Sequence, residues 1–418
     1  MKLMHLSDLH IGKRVHGFSM LKDQQYILEQ VLQMVDAERP DCVLLAGDIY
    51  DKPVPSAEAV TVLDEFLAGL YARQVCVCLV SGNHDSPERL DFGGRIFESR
   101  DIHVAGRYDG ENHMVELQDE HGLVRIWLLP FVRPASLRPY EPEVVTYQEA
   151  VEAAVERMKE PCRNGDTPWE SVRNVLVAHQ FVVSGERLPQ VCDSEELSLG
   201  TLDHVDVSAF DAFDYVALGH LHGPQQVGRP QVRYAGSPLK YSFSERHQKK
   251  SVTMAELGPK GQVEIRQLPL EPLRDLRQIQ GTMEELLQAG LALGSTTLGE
   301  EHRSGEWEKA GENRPEAAEE DPRQDYIAAV LTDEGQIYDA LGRLRAVYPN
   351  LMRLEFLRES RDFAQAAVRM EEMRSLTAVE LFEEFYEKQR QQPLSEEGRQ
   401  VIEGLLEELT RGTGGDRL

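Results

Sequence analysis

Residues 42–51 read CVLLAGDIYD. Five apolar residues closed by a glycine describe a short strand buried on both faces, since a half-buried strand alternates and a buried helix runs longer. Asp48 is then the first polar side chain at the exit of that strand. The arrangement recurs in HLSDLH (Asp8, His10), VCVCLVSGNHD (Asn83, His84, Asp85), NVLVAHQ (His179) and YVALGHLHG (His220, His222). Polar groups at the ends of such strands are expected to converge at one edge of a single sheet, although more than two hundred residues of chain lie between them. Seven oxygen and nitrogen donors of this kind suffice for two metal ions. Glycine precedes Asp48, Asn83 and His220, where it lets the backbone turn sharply and admits a metal or phosphate close by.

Around this stretch the chain alternates strand and helix up to about residue 255. Further strands are expected at KLMHL, IHVAG, VRIWLLPF and VRYAG. One helix is expected between the first two strands, with Ile27, Val31 and Val35 on its apolar face. Another covers SAEAVTVLDEFLAGLYA, with Ser56 as its N-cap. The expected fold class is α/β: a two-sheet layered core flanked by helices, a small α+β capping domain, and C-terminal helices. Residues 1–255 form the first domain in this reading and residues 256–360 the capping domain. The Gly-, Glu- and Pro-rich stretch 294–323 lacks apolar periodicity and reads as a disordered acidic insertion. Residues 370–412 carry two apolar helical stripes, Leu376 to Tyr386 and Val401 to Leu409.

The 418 residues exceed one average domain. The formal charge of −27 disfavours a chain that holds nucleic acid unaided, so a polyanionic substrate would need bound cations or a basic partner. No apolar run is long enough to span a membrane, and a secretory leader is not expected at Met1. The five cysteines have no framework spacing. Cys76 and Cys78 share one face of a strand, but no second pair or nearby histidine completes a zinc site. They are expected to be buried, reduced core thiols in a cytoplasmic protein.

The five motifs, taken in order, resemble those of the calcineurin-like metallophosphoesterases. The flanking HLSDLHIGK, LLAGDIYDKPVPS, VSGNHDSPERL, AHQFVVSG, ALGHLHGPQ and YAGSPLKYSFSE resemble the branch whose members are the nuclease subunits of ATP-dependent DNA-repair complexes. The likeness covers residues 1 to about 255 strongly and the remainder in layout only. It implies one ion on Asp8, His10, Asp48 and His222 and another on Asp48, Asn83, His179 and His220, with Asp48 as the bridge. Two such ions stabilise both the attacking and the leaving oxygen of a phosphodiester. It implies Mn²⁺, with Mg²⁺ a poorer substitute, and no organic cofactor; the spacing itself does not choose the metal. His84 would be the general acid at the leaving oxygen, with Asp85 either orienting His84 or capping the turn that follows. Ser242, Ser244 and Arg246 form the expected phosphate-contact loop, and Lys13, Lys240 and Lys250 are among the candidates for a basic rim.

The resemblance further implies a 3′-to-5′ double-strand exonuclease with single-strand and hairpin endonuclease activity. Its partners would be DNA ends and hairpins and a coiled-coil ATPase gripped by residues 370–412. A homodimer within a heterotetramer would form through the helices after Asp48 and Asn83. Two other readings fit the motifs less well: a small-substrate phosphoesterase or phosphatase of the same superfamily, and a non-catalytic scaffold subunit for the ATPase.

Overall fold

The computed structural model describes residues 1–163, 167–185, 187–195, 204–295, 321–335, 337–357 and 398–399. The expected acidic insertion, apart from its two ends, and the C-terminal stripes lie outside the described residues.

Two six-stranded sheets stack face to face. The first contains β1 (Lys2–Leu6), β2 (Cys42–Ala46), β3 (Cys76–Val80) and β4 (Ile102–Ala105), all parallel. The second holds β5 (His113–Asp119), β6 (Gly122–Leu129), β7 (Arg173–His179), β8 (Tyr215–Gly219), β9 (Gln225–Val227) and β10 (Arg229–Tyr234). Its middle strands β6, β7, β8 and β10 are also parallel. β11 (Ser251–Leu257) and β12 (Val263–Pro269) return antiparallel to the edge of the first sheet beside β1. The first sheet therefore runs to Pro269, past residue 255, where the sequence pattern placed the end of this domain.

The strands are continuously apolar because both of their faces are covered. Leu3, Leu44, Val80, Ile126 and Val175 pack between the sheets. The opposite faces meet helices. On the first sheet these are α1 (Leu21–Glu38), through Ile27, Val31 and Val35, and α2 (Ala57–Ala72), through Val62 and Phe66. The hydroxyl of Ser56 accepts from the amide of Ala59, closing the α2 cap as expected. On the second sheet α3 (Tyr147–Arg163) buries Val151, Val155 and Met158. Burying a side chain of this size stabilises the fold by about 1.5–3 kcal/mol, which makes these faces the main source of cohesion. The β5 strand was not anticipated: HMVELQD lies at the sheet edge and buries only Val115, so it lacks an apolar run.

A third, smaller sheet of β13 (Leu276–Gly281), β14 (Tyr326–Leu331) and β15 (Leu351–Phe356) carries α4 (Met283–Ser295) and α5 (Ala340–Arg345). Its core includes Met283, Leu286, Ile327 and Leu344. Arg274 and Tyr326 both bond the buried carboxylate of Asp23 on α1, locking this unit against the first sheet. No helix among the described residues is long and apolar enough to cross a membrane.

Candidate metal centre

The seven expected donors do gather, but at the shared carboxyl end of both sheets rather than at the edge of one. Asp8 and His10 follow β1, Asp48 follows β2 and Asn83 follows β3. His179 ends β7, while His220 and His222 follow β8. The central strands of each sheet are parallel, so their exits lie together, and face-to-face packing brings the two sets into contact.

Asp48 lies at the hub. Its Oδ2 is 3.4 Å from His179 Nε2, 3.7 Å from His10 Nε2 and 4.0 Å from His84 Nε2. On one side, Nε2 of His10 and Nε2 of His222 face each other at 3.0 Å, close to Asp8. On the other side, Asn83 Oδ1 lies 3.0 Å from His179 Nε2 and 3.0 Å from His220 Nδ1. Asp8, His10, Asp48 and His220 all have positive φ, between 44° and 115°. Non-glycine residues adopt that backbone at a cost of order 1 kcal/mol or more each. The structure sustains it through hydrogen bonds such as Asp8 N to Gly47 O and His10 N to Asp48 O. The preceding glycines are required by close approach: a Cβ on Gly219 would lie 1.8 Å from the Ala46 carbonyl oxygen.

Electrostatics follow from burial. Burial opposes the charge on Asp48, yet the adjacent His179 holds that carboxyl well below its usual range. Burial likewise opposes protonation of His179, but Asp48 raises it to about 9. Desolvation, reinforced by Asp48, pushes Asp8 to about 7. Burial takes His220 down to about 3 and His10 well below its usual value. Neutral imidazoles that face one another nitrogen to nitrogen can share one proton at most. His10 Nδ1 is buried with no hydrogen-bond partner among the described residues. A buried set of imidazole, carboxylate and amide donors clustered around one carboxylate fits divalent cations.

His84 sits at the rim. Its amide donates to Asp48 Oδ1 at 2.9 Å, and its ring Nδ1 is 3.2 Å from the Asp51 carbonyl oxygen. That carbonyl orients the imidazole. Asp85 does not: its carboxylate accepts from the amides of Gly82, Ile49 and Tyr50. Those three buried amides use its lone pairs, so Asp85 staples the loop after β2 to the turn after β3. It is a positioning residue rather than a partner of His84, and the cap of the following turn is Ser86.

The expected phosphate loop also differs. The hydroxyls of Ser242 and Ser244 bond each other, Ser244 accepts from the Asp193 amide, and the Arg246 guanidinium donates to the Phe243 carbonyl. These groups hold the turn itself. The residue that reaches the centre from this loop is Glu245, which sequence reasoning missed. Its Oε1 accepts from Ser194 Oγ at 2.6 Å, that hydroxyl lies 2.7 Å from His222 Nδ1, and its Oε2 accepts from Lys250 Nζ at 2.6 Å. Lys250 also donates to the His222 carbonyl. The signal was the alternation Tyr241, Phe243, Glu245, all three buried. Lys13, Lys240 and Lys250 pair with Asp51, Asp275 and Glu245, so none of the three is the free rim cation expected of it.

Strand-end donors from two stacked sheets, gathered around one carboxylate, form a candidate site for divalent metal ions. Residues 1–224 match the model of the calcineurin-like phosphoesterase family, to which the chain belongs. Residues 272–390 match a second family model, the type 5 capsule protein repressor C-terminal domain, SbcD_C. The chain is 30% identical over 412 residues to the SbcD subunit of the SbcCD nuclease from Staphylococcus epidermidis, covering 97% of this chain and 98% of that one. Within the phosphoesterases it is thus a metal-dependent nuclease subunit of the SbcD family, a hydrolase acting on ester bonds. Among solved structures, a dimetal phosphatase from Danio rerio is 14% identical, with a TM-score of 0.38 over 65% of this chain and 98% of that one. TT1561 of Thermus thermophilus is 12% identical, with a TM-score of 0.37 over 64% and 98%.

Proposed function

We propose that the chain hydrolyses DNA phosphodiesters at a two-ion centre, with Asp8, His10, Asp48 and His222 holding one ion and Asp48, Asn83, His179 and His220 the other. The observation that carries this reading is the convergence of those donors around Asp48 Oδ2. Two divalent cations there would supply positive charge at the phosphoryl oxygens and activate the nucleophile. The ions proposed are Mn²⁺, with Mg²⁺ poorer.

Asp48 would be the ligand common to both sites, and its negative charge would offset part of the ions' charge. His84 presents Nε2 toward the centre while Nδ1 points at the Asp51 carbonyl. With that carbonyl accepting from Nδ1–H, the ring can carry a second proton on Nε2 and deliver it to the leaving oxygen. Asp85 keeps the two loops that bear Asp48 and His84 in register. Glu245, Ser194 and Lys250 hold His222 from behind.

The substrates proposed are DNA ends and hairpins, cut as a 3′-to-5′ double-strand exonuclease and a single-strand endonuclease. An SbcC-like coiled-coil ATPase would dock on residues 370–412, and the complex would be a cytoplasmic heterotetramer around a homodimer. An ATPase that brings the DNA affinity accounts for a nuclease chain with a formal charge of −27. Exposed apolar side chains favour the dimer surface: Val54 and Val60 after Asp48, and Phe92 and Ile96 after Asn83.

The test is degradation of end-labelled duplex and hairpin DNA by the chain with and without its ATPase and ATP, in Mn²⁺, beside hydrolysis of bis-p-nitrophenyl phosphate. Duplex degradation is expected. Cleavage of the small ester alone, with partner and ATP present, would overturn the reading.

A further inference from the structure

The amino ends of β2 and β3 carry a second cluster of ligand-type side chains, remote from the phosphoesterase centre. Cys42 opens β2, Cys76 opens β3, and the two are register partners across the parallel ladder. Cys78 is two residues further along β3 and so projects to the same face as Cys76. All three thiols lie in the core between the sheets and are free. One sulfur from each falls within 4.8 Å of the other two. Cys42 Sγ and Cys78 Sγ are 3.7 Å apart.

Two thiolates bound about 2.3 Å from one zinc ion at the tetrahedral angle stand roughly 3.8 Å apart. The Cys42–Cys78 spacing already meets that requirement, and it is far longer than a disulfide bond, about 2.05 Å. The fourth donor type is also present. His103 on β4 is the register partner of Cys78 and so projects to the same face of the sheet as the thiols. Thiols that merely fill a core behave as small apolar groups, and apolar packing does not call for an imidazole on the same face of the neighbouring strand. His103 is only half-buried, which leaves a way in from that end of the sheet.

We propose that Cys42, Cys76, Cys78 and His103 bind one thiophilic cation, Zn²⁺ in the first instance, as a structural site separate from the catalytic pair. Three thiolates and one imidazole are a standard tetrahedral zinc set. Each coordinating thiol would release its proton to solvent, so that binding is tighter at higher pH. The ion would tie β2, β3 and β4 together at one end. The opposite ends of β2 and β3 lead to Asp48 and Asn83, about 13 Å along the strand.

Cobalt distinguishes the two sites, because the phosphoesterase donors include no sulfur. The full-length protein is stripped with a chelator, saturated with Mn²⁺ and titrated with Co²⁺. A thiolate-to-cobalt charge-transfer band is expected in the near ultraviolet, complete at one equivalent per chain and abolished by one equivalent of Zn²⁺. Cys42→Ala with Cys78→Ala should remove the band and leave Mn²⁺-dependent hydrolysis of bis-p-nitrophenyl phosphate in place. His103→Ala should keep the band and raise the Co²⁺ dissociation constant about tenfold or more. The wild-type titration needs no variant to fold. No band in the wild type, or a band that survives the double cysteine variant, would overturn the proposal.

Discussion

Replacing Lys250 with methionine keeps the length of the side chain and removes its charge. Lys250 is buried, and its Nζ has four acceptors within hydrogen-bond distance for its three N–H groups: Glu245 Oε2, the His222 carbonyl, Ser237 Oγ and Gln248 Oε1. Glu245 is fully buried. In the wild type, burial opposes its charge, but contacts with His222 and Lys250 hold its carboxyl far below the usual range. Removing one partner from a buried pair costs about 3–5 kcal/mol. An independent bound agrees: at pH 7 the stranded carboxyl can instead take up a proton, at about 3.7 kcal/mol for a group of ordinary pKa near 4.3. Ser194 and the Tyr241 amide still donate to it, which favours the lower end, about 3 kcal/mol.

The assay is urea unfolding followed by tryptophan fluorescence, since Trp127 and Trp169 stack in the core of the second sheet. With a slope of roughly 2–3 kcal/mol per molar urea, the midpoint should fall by about 1–1.5 M. The pH dependence has a definite sign. Depression of the Glu245 pKa stabilises the wild type above the unfolded value near 4.3, and that stabilisation is lost as pH falls. In Lys250→Met the same group is raised, so the gap between variant and wild type should narrow from pH 7 toward pH 4.5. Adding Glu245→Gln, which removes the charge and keeps an acceptor, should restore more than half of the loss. A single-variant loss below about 1 kcal/mol, or a gap that does not change with pH, would refute the reasoning.

Three further outcomes are expected. His84→Gln should bind Mn²⁺ with unchanged stoichiometry by calorimetry while turnover on duplex DNA drops by about 10²–10⁴-fold; turnover within threefold of wild type would remove His84 from the chemistry. Gly219→Ala should yield little soluble protein, because the new Cβ meets the Ala46 carbonyl at 1.8 Å and His179 Nδ1 at 2.8 Å; a wild-type melting temperature would contradict the close packing of the two sheets. His5 is fully buried, and burial lowers its pKa to about 3, so stability should be lost as pH falls from about 6.5 toward 3, by up to about 1.4 kcal/mol per pH unit. That limb should flatten in His5→Asn, as read from urea midpoints across the range.

The strands and their exits were legible because both depend on local pattern. An apolar run such as CVLLA needs two covered faces wherever it folds, and the glycine and polar residue after it mark the turn. Asp8, His10, Asp48, Asn83, His179, His220 and His222 could therefore be picked out one by one. The first sheet's true edge was harder: the stretch from Val263 reads as a polar strand, but its half-exposed pattern does not say which sheet it joins.

What only the tertiary structure decided was partnership. That the donors come from two sheets, that Asp85 serves the backbone of a loop some 35 residues away, and that Glu245 braces His222 are all facts of long-range contact. The same is true of Cys42, which strand register brings beside the Cys76 and Cys78 pair. Side-chain type and period set which residues leave a strand and on which face. Hydrogen-bond partners depend on which strands become neighbours, and that is set by the packing of the whole core.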